Sequence, residues 1–136
     1  MKTQTKIHKA AFGMAPYVAP ELFVYDNSQH PPFSKKTDIY SLGVLLWEIS
    51  SGYPPFKSED YSDIALIYNV THGTREKMIP DTPPDYHELY TDCWNEDPNK
   101  RPIIDKVYYN LKSMLPKNNE IIEDKDKTED SKGNFL

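Results

Sequence analysis

Between Asp38 and Ser51 the chain runs DIYSLGVLLWEISS, and this stretch limits the fold more than any other. Turned through the helical angle, Ile39, Leu42, Val44, Leu45, Leu46, Trp47 and Ile49 leave almost no polar side. A helix that is apolar nearly all round is a buried helix, wrapped on several faces. The run is too short, and too interrupted by Asp38, Ser41 and Glu48, to span a bilayer. Thr37 or Asp38 can cap its first turn. Gly52 can end the last, with Pro54 and Pro55 barring continuation. The rest of the chain reads as material that packs on this rod or hangs from it.

Upstream, Met1 to Phe12 is basic, polar and weakly patterned, an exposed loop. Gly13 to Pro20 carries a Gly and two prolines and reads as a shaped loop. Glu21 to Tyr25 suits a short helix, and Asp26 to Pro32 has the composition of a surface loop. Downstream, Asp63 to Val70 is a second helix, its apolar stripe being Ile64, Ile67, Tyr68 and Val70. A loop with Pro80, Pro83 and Pro84 follows. A third helix runs from about Asp85 to Asn95, with Tyr86, Leu89, Tyr90, Cys93 and Trp94 on one side, and Pro98 stops it. Pro102 suits the first turn of a fourth. There Ile103, Ile104, Val107, Tyr108, Leu111, Met114 and Leu115 recur at amphipathic spacing. The expected architecture is mainly α, one domain over residues 1–115. Residues 116–136 then form a tail dense in Lys, Glu and Asp, too poor in apolar groups to offset the cost of ordering.

A net charge of −5 argues against nucleic-acid and anionic-membrane partners. The N-terminus has no apolar core suited to a signal peptide. The single cysteine excludes an internal disulfide, which fits a reducing, cytoplasmic compartment. That residue, Cys93, faces the apolar side of its helix and reads as a buried, inert thiol. His8, His30, His72 and His87 lack metal-ligand spacing and read as surface residues. Asn69-Val70-Thr71 spells a glycosylation acceptor but reads as a chance triplet.

Three segments together carry a family resemblance. DIYSLGVLLWEISSGYPPF resembles the central helix of the large lobe of a protein kinase, with its following turn. GMAPYVAPE, Gly13 to Glu21, resembles the end of a kinase activation segment. CWNEDPNKRP, Cys93 to Pro102, resembles the last conserved block of that lobe. Their order and spacing fit, and they reach to about Leu115. The resemblance implies the C-terminal helical part of a kinase large lobe, built around one buried central helix. It also implies a family activity, transfer of the ATP γ-phosphate to Ser or Thr, or to Tyr, of proteins, with Mg.

Residue by residue, the resemblance implies an ion pair between Glu21 and Arg101, in which a planar guanidinium grips a carboxylate and ties a loop to a distant helix. A buried pair is favoured over an exposed one. Asp38 matches the residue that anchors the catalytic loop; a plain N-cap is the other reading, and the two are compatible. Leu45 and Ile49 match positions beneath the family's hydrophobic spine and otherwise read as ordinary core. Gly13, Met14 and Tyr17 match the loop that positions substrate. Gly13 and Tyr17 agree with serine/threonine kinases. Met14 departs from them, because those enzymes place a hydroxyl there that touches the catalytic Asp, and a thioether cannot make that bond. Cys93-Trp94 is typical of tyrosine kinases and their tyrosine-kinase-like relatives. The combination points to the tyrosine-kinase-like serine/threonine branch. Thr3 and Thr5 lie where activation-segment phosphorylation sites occur, and two ordinary loop threonines are an equal reading.

The sequence contains no Gly-rich phosphate loop, no VAIK-like Lys, no HRD and no DFG. Met1 falls just after the place where DFG would lie. The chain reads as the last half of a kinase domain begun at an internal Met, with no catalytic residue, no metal and no cofactor site of its own. In kinases a further long helix and the catalytic loop pack on the central helix. Without them an apolar patch should be exposed and favour self-association. The alternative is a catalytically dead helical module that binds a protein substrate or a partner kinase lobe.

Overall fold

A computed structural model describes residues 14–24, 33–57 and 60–116. The apolar run forms helix α1, Lys35–Ser51. Its N-cap is Ser34, a full turn before Asp38. Ser34 is extended, at φ −141°, so its hydroxyl faces the first turn and accepts from the Lys36 N–H at 3.2 Å. Thr37 Oγ1 accepts in return from the Ser34 N–H at 3.3 Å. The expected caps were therefore misplaced: Thr37 is the inner half of a capping box, and Asp38 lies inside the helix. At the other end Gly52 takes a left-handed φ of 76°, and its N–H closes on the Glu48 carbonyl at 2.9 Å.

Three more helices follow: α2 (Asp63–Thr71), α3 (Pro84–Cys93) and α4 (Ile104–Ser113). No strand occurs among the described residues, so the domain is mainly α, as its patterning implies. The tightest joint is between α1 and α3. A Cβ on Gly43 would lie 2.7 Å from the Cys93 Cβ and 3.0 Å from the Trp94 nitrogen. The missing side chain lets the two helices approach that closely. Around this joint Ile39, Tyr40, Val44, Leu46 and Trp47 of α1 meet Leu89, Tyr90, Cys93 and Trp94. Leu66 and Val70 of α2 and Val107 of α4 complete the core, with Ala15 and Ala19 from the upstream segment. Burial, helped by Asp92, pushes the Cys93 thiol up to about 12, so it stays protonated and unreactive at neutral pH.

Buried polar atoms pin the connecting loops. The Trp47 indole donates to the Lys77 carbonyl at 2.8 Å, and the Tyr86 hydroxyl donates to the Leu46 carbonyl. Arg75 donates to the carbonyls of Trp94 at 3.1 Å and Val70 at 2.9 Å.

Several faces differ from the sequence reading. α1 is not wrapped all round: Leu45 is 45% exposed and Ile49 74%, one turn apart on a bare side. These two positions are not ordinary core. On α2 two apolar rows compete, and the Leu66–Val70 row turns inward, leaving Ile64 and Tyr68 exposed. α4 starts at Ile104, with Pro102 just ahead of its N-cap, Ile103. Only Val107 of α4 is fully buried. Leu111 and Met114 are partly covered, while Ile103, Ile104, Tyr108 and Leu115 face solvent. The expected helix from Glu21 is a single 3-10 turn, Pro20–Leu22, with Tyr25 outside the described residues. His72 is exposed, and His87 is half-buried, its ring edge-on to Tyr90 at 5.3 Å. Asn69 lies within α2 and donates its amide back to the Ala65 carbonyl at 2.9 Å. His8, His30 and residues 117–136 lie outside the described residues. Among the described residues no helix is long and apolar enough to cross a membrane.

Gly43→Ala tests the α1–α3 joint. Helix propensity alone favours the alanine by about 1 kcal/mol. Overpacking against helix backbone costs about 1–3 kcal/mol, so the clash wins. The variant should melt several degrees below the parent in a thermal scan; an unchanged or raised midpoint would show that the joint is looser than drawn.

Candidate functional site

Among the described residues, Arg101 is a buried charge with every guanidinium nitrogen hydrogen-bonded. It follows a turn whose own polar groups shape it: the Asp97 N–H donates to Asn95 Oδ1, and the Asn99 N–H donates to Asp97 Oδ1, both at 2.9 Å. The 3-10 turn Pro98–Lys100 then delivers Arg101 inward, where its side chain has no exposed surface. Its Nε donates to the Asn95 carbonyl at 2.8 Å. Nη1 donates to Glu21 Oε1 at 2.7 Å and to the Lys36 carbonyl at 2.9 Å, and Nη2 donates to Glu21 Oε2 at 2.9 Å. The guanidinium also sits 5.1 Å from the centroid of the Tyr40 ring. Lys36 returns the contact, its Nζ donating to the Arg101 carbonyl. The pair is bidentate, and Glu21 keeps 19% of its side chain exposed.

Through Glu21 the upstream segment is fixed to α1, and two further bonds fix it again. Ser41 Oγ donates to the Tyr17 carbonyl at 2.6 Å, and the Tyr17 hydroxyl donates to Glu48 Oε2 at 2.9 Å. Ser41 and Glu48 are the polar residues that interrupt the apolar run. Their place in that run was the available signal, but the residue types alone did not say what they would hold. Lys36 had no signal at all. Burial, with the Glu48 carboxylate second, pushes the Tyr17 phenol up to about 12.

Beside this segment lies an open cleft of about 430 Å³, lined by Met14, Tyr17, Val18, Ala19, Leu22, Phe33, Thr37, Asp38, Ser41 and Leu45. Met14 is 57% exposed at its mouth. Among the described residues that line it, Asp38, also exposed, is the only charged one. The structure thus brings Met14, Tyr17 and Asp38 together on one side of α1, with Glu21 and Arg101 as the clamp behind. Gly13, Thr3 and Thr5 lie outside the described residues. Among the described residues no group of three or more His, Cys, Asp and Glu is placed to hold a metal.

Glu21→Ala would strand a guanidinium that has no exposed surface. The expected loss is about 3–5 kcal/mol, towards the lower end because Glu21 is partly wet. It should appear as a lower urea midpoint at constant slope. Tyr17 gives a pH test. Its folded pKa is raised above the ordinary 10.0, so its contribution is complete below that pH and is lost as pH rises through about 12. Tyr17→Phe should flatten the alkaline fall in stability over that window. An identical alkaline limb in the variant would remove Tyr17 as its source.

Comparison with known proteins adds independent support. The model of the family described as protein tyrosine and serine/threonine kinase matches residues 1–111. Mitogen-activated protein kinase kinase kinase 7 of Homo sapiens is 33% identical over 95 residues, 70% of this chain and 15% of that protein. Mitogen-activated protein kinase kinase kinase 11 of Homo sapiens is 33% identical over 106 residues, 77% of this chain and 12% of that protein. A probable serine/threonine-protein kinase of Dictyostelium discoideum is 32% identical over 120 residues, 82% of this chain and 6% of that protein. The chain thus spans under a fifth of the length of these relatives. With the family match over most of its length and the helical lobe in place, the chain belongs to the protein tyrosine and serine/threonine kinase family, in its tyrosine-kinase-like branch.

Proposed function

We propose that residues 1–115 are the C-terminal part of a catalytic domain that transfers the ATP γ-phosphate to Ser or Thr of proteins, and that residues 116–136 are a charged tail outside it. One observation carries the reading: the segment from Met14 to Glu21 is locked onto α1 by the Glu21–Arg101 pair and the Tyr17 bonds. A loop that orients a protein substrate must hold its shape while the substrate is seated, and this one has charge-assisted anchors at its far end. In this reading Gly13, Met14 and Tyr17 position the substrate, and Asp38 anchors the catalytic loop. Thr3 and Thr5 are candidate phosphorylation sites upstream. ATP and Mg bind on other parts of the domain, and the protein works in the cytoplasm. Met14 places a polarizable thioether where a hydroxyl is usual, so it supplies packing rather than a hydrogen bond.

The test is to read the transcript through the Met1 codon and assay the encoded protein with Mg-ATP and a general protein acceptor. The expected product is phosphoserine or phosphothreonine. An encoded product that binds no nucleotide and labels nothing would leave the second reading, a helical module that binds a protein partner. That reading has its own support in the bare side of α1, where Leu45 and Ile49 are exposed and Leu45 lines the cleft with Met14 and Phe33. For the chain by itself, Leu45→Glu with Ile49→Glu should cut apolar-dye binding and shift larger species toward monomer in size-exclusion chromatography. If dye binding persists unchanged, the bare side of α1 is not the sticky surface.

A further inference from the structure

The loop before α3 reads Ile79-Pro80-Asp81-Thr82-Pro83-Pro84, and Thr82-Pro83 is the only Ser-Pro or Thr-Pro step in the chain. Pro80, Asp81, Pro83 and Pro84 are exposed, and Thr82 is half-buried. The proline matters chemically. It removes the N–H that follows the hydroxyl-bearing residue, and it steers that residue away from the helical region. A modifying enzyme with an apolar socket in place of an amide acceptor would select this step. We propose that Thr82 is phosphorylated by a proline-directed serine/threonine protein kinase, and that the phosphate unfastens the loop that holds α1.

The transfer balances simply. Thr82 Oγ1 attacks the γ-phosphorus of ATP carried by that other kinase. The new O–P bond forms as the bond to the β-phosphate oxygen breaks and ADP leaves. The hydroxyl proton passes to the acting kinase's own base.

The consequence follows from what the hydroxyl does now. Thr82 Oγ1 donates to the Ile79 carbonyl at 2.6 Å, and the Thr82 N–H donates to the same carbonyl at 3.2 Å. This turn includes Asp81 at φ 66°, a left-handed conformation that Asp adopts more readily than most side chains. Phosphorylation removes the Oγ1 donor and adds a charge of about −1.5 to −2 between two exposed carboxylates, Asp81 and Asp85. The α3 N-terminus would attract an anion. Asp85 already occupies that turn, however, accepting from the Tyr86 N–H at 3.0 Å. Repulsion and the lost bond therefore act together. A few residues upstream the same loop supplies the Lys77 carbonyl that satisfies the Trp47 indole at 2.8 Å. It also walls a cavity of about 300 Å³ with Ile49 and Tyr86. Loosening the turn loosens both.

The experiment treats the native 136-residue chain with a purified proline-directed kinase and Mg-ATP, and maps the product by tandem mass spectrometry. One phosphoryl group on Thr82 is expected. It should be absent in Thr82→Val, and also in Pro83→Ala, which keeps the hydroxyl. The phosphorylated chain should melt a few degrees lower than the untreated one, and Thr82→Val, which loses the donor without gaining charge, should fall by less. No label on the native chain would overturn the site even if the urea-unfolded chain were labelled, because the folded loop would then shield it. Label on Thr82 with an unmoved melting midpoint would overturn the unfastening.

Discussion

A guanidinium taken wholly out of water must find its partners where it lies, because the ion's desolvation is otherwise unopposed. Arg101 finds them on three separate pieces of chain. Asn95 belongs to its own turn, Lys36 to the start of α1, and Glu21 to the upstream segment eighty residues away. Each bond fixes a different loop to the same small volume. The Tyr40 ring closes one side of that volume, and the Arg75 guanidinium stands 5.2 Å from the ring centroid. The order of the upstream segment therefore depends on a charge at the far end of the domain. Such a pair adds little to stability compared with well-packed apolar groups of the same volume, yet it is costly to break. What it contributes is position: a bidentate geometry admits one placement of Glu21.

The same constraint shapes α1, which has to serve two unlike neighbours. Toward α3 it presents Gly43 and a row of large side chains, giving a close joint of the kind that tolerates no added methyl. Toward the upstream segment it presents Ser41 and Glu48, which hold Tyr17 by its carbonyl and its hydroxyl. Leu45 and Ile49 occupy the remaining side and touch neither neighbour fully. Two large apolar side chains thus stand exposed one turn apart on the same helix.

The central helix, its Gly52 stop and the four α-helices of the described residues were legible in the residues, and the Glu21–Arg101 pair forms where the resemblance implied it. Long apolar periodicity and a glycine at a helix end are local signals, and the pairing came with the resemblance. The inner faces of α2 and α4 were not legible. On α2, Ile64 and Leu66 are equally apolar, and only what packs against the helix, the turn Pro20–Leu22 included, decides between them. The Ser34 cap was missed for a related reason: Thr37 and Asp38 are as good as Ser34 by type, and the cap belongs to whichever residue leaves the helix with extended backbone. Ser41, Glu48 and Lys36 were visible as polar interruptions or not at all, because their partners lie far off in sequence. Leu45 and Ile49 were misread as core for the opposite reason. Apolar periodicity reports what a helix could bury, not what is present to bury it.

One consequence concerns Met14. Among the described residues, Ser41, Glu48 and Arg101 anchor the segment behind it, and Lys36 joins them through the Arg101 carbonyl. These bonds hold that segment against α1. Met14 itself stands exposed at the cleft mouth, bordered by Phe33 and Leu45. A hydroxyl at such a place would work by aligning one proton, and its effect would depend on an exact partner distance. A thioether works by contact, adapts its shape and is indifferent to small displacements. On the proposed reading, a segment held firmly from behind and tipped with a flexible apolar side chain suits recognition by packing. The cleft lining, apolar apart from Asp38 and a few hydroxyls, fits the same kind of recognition.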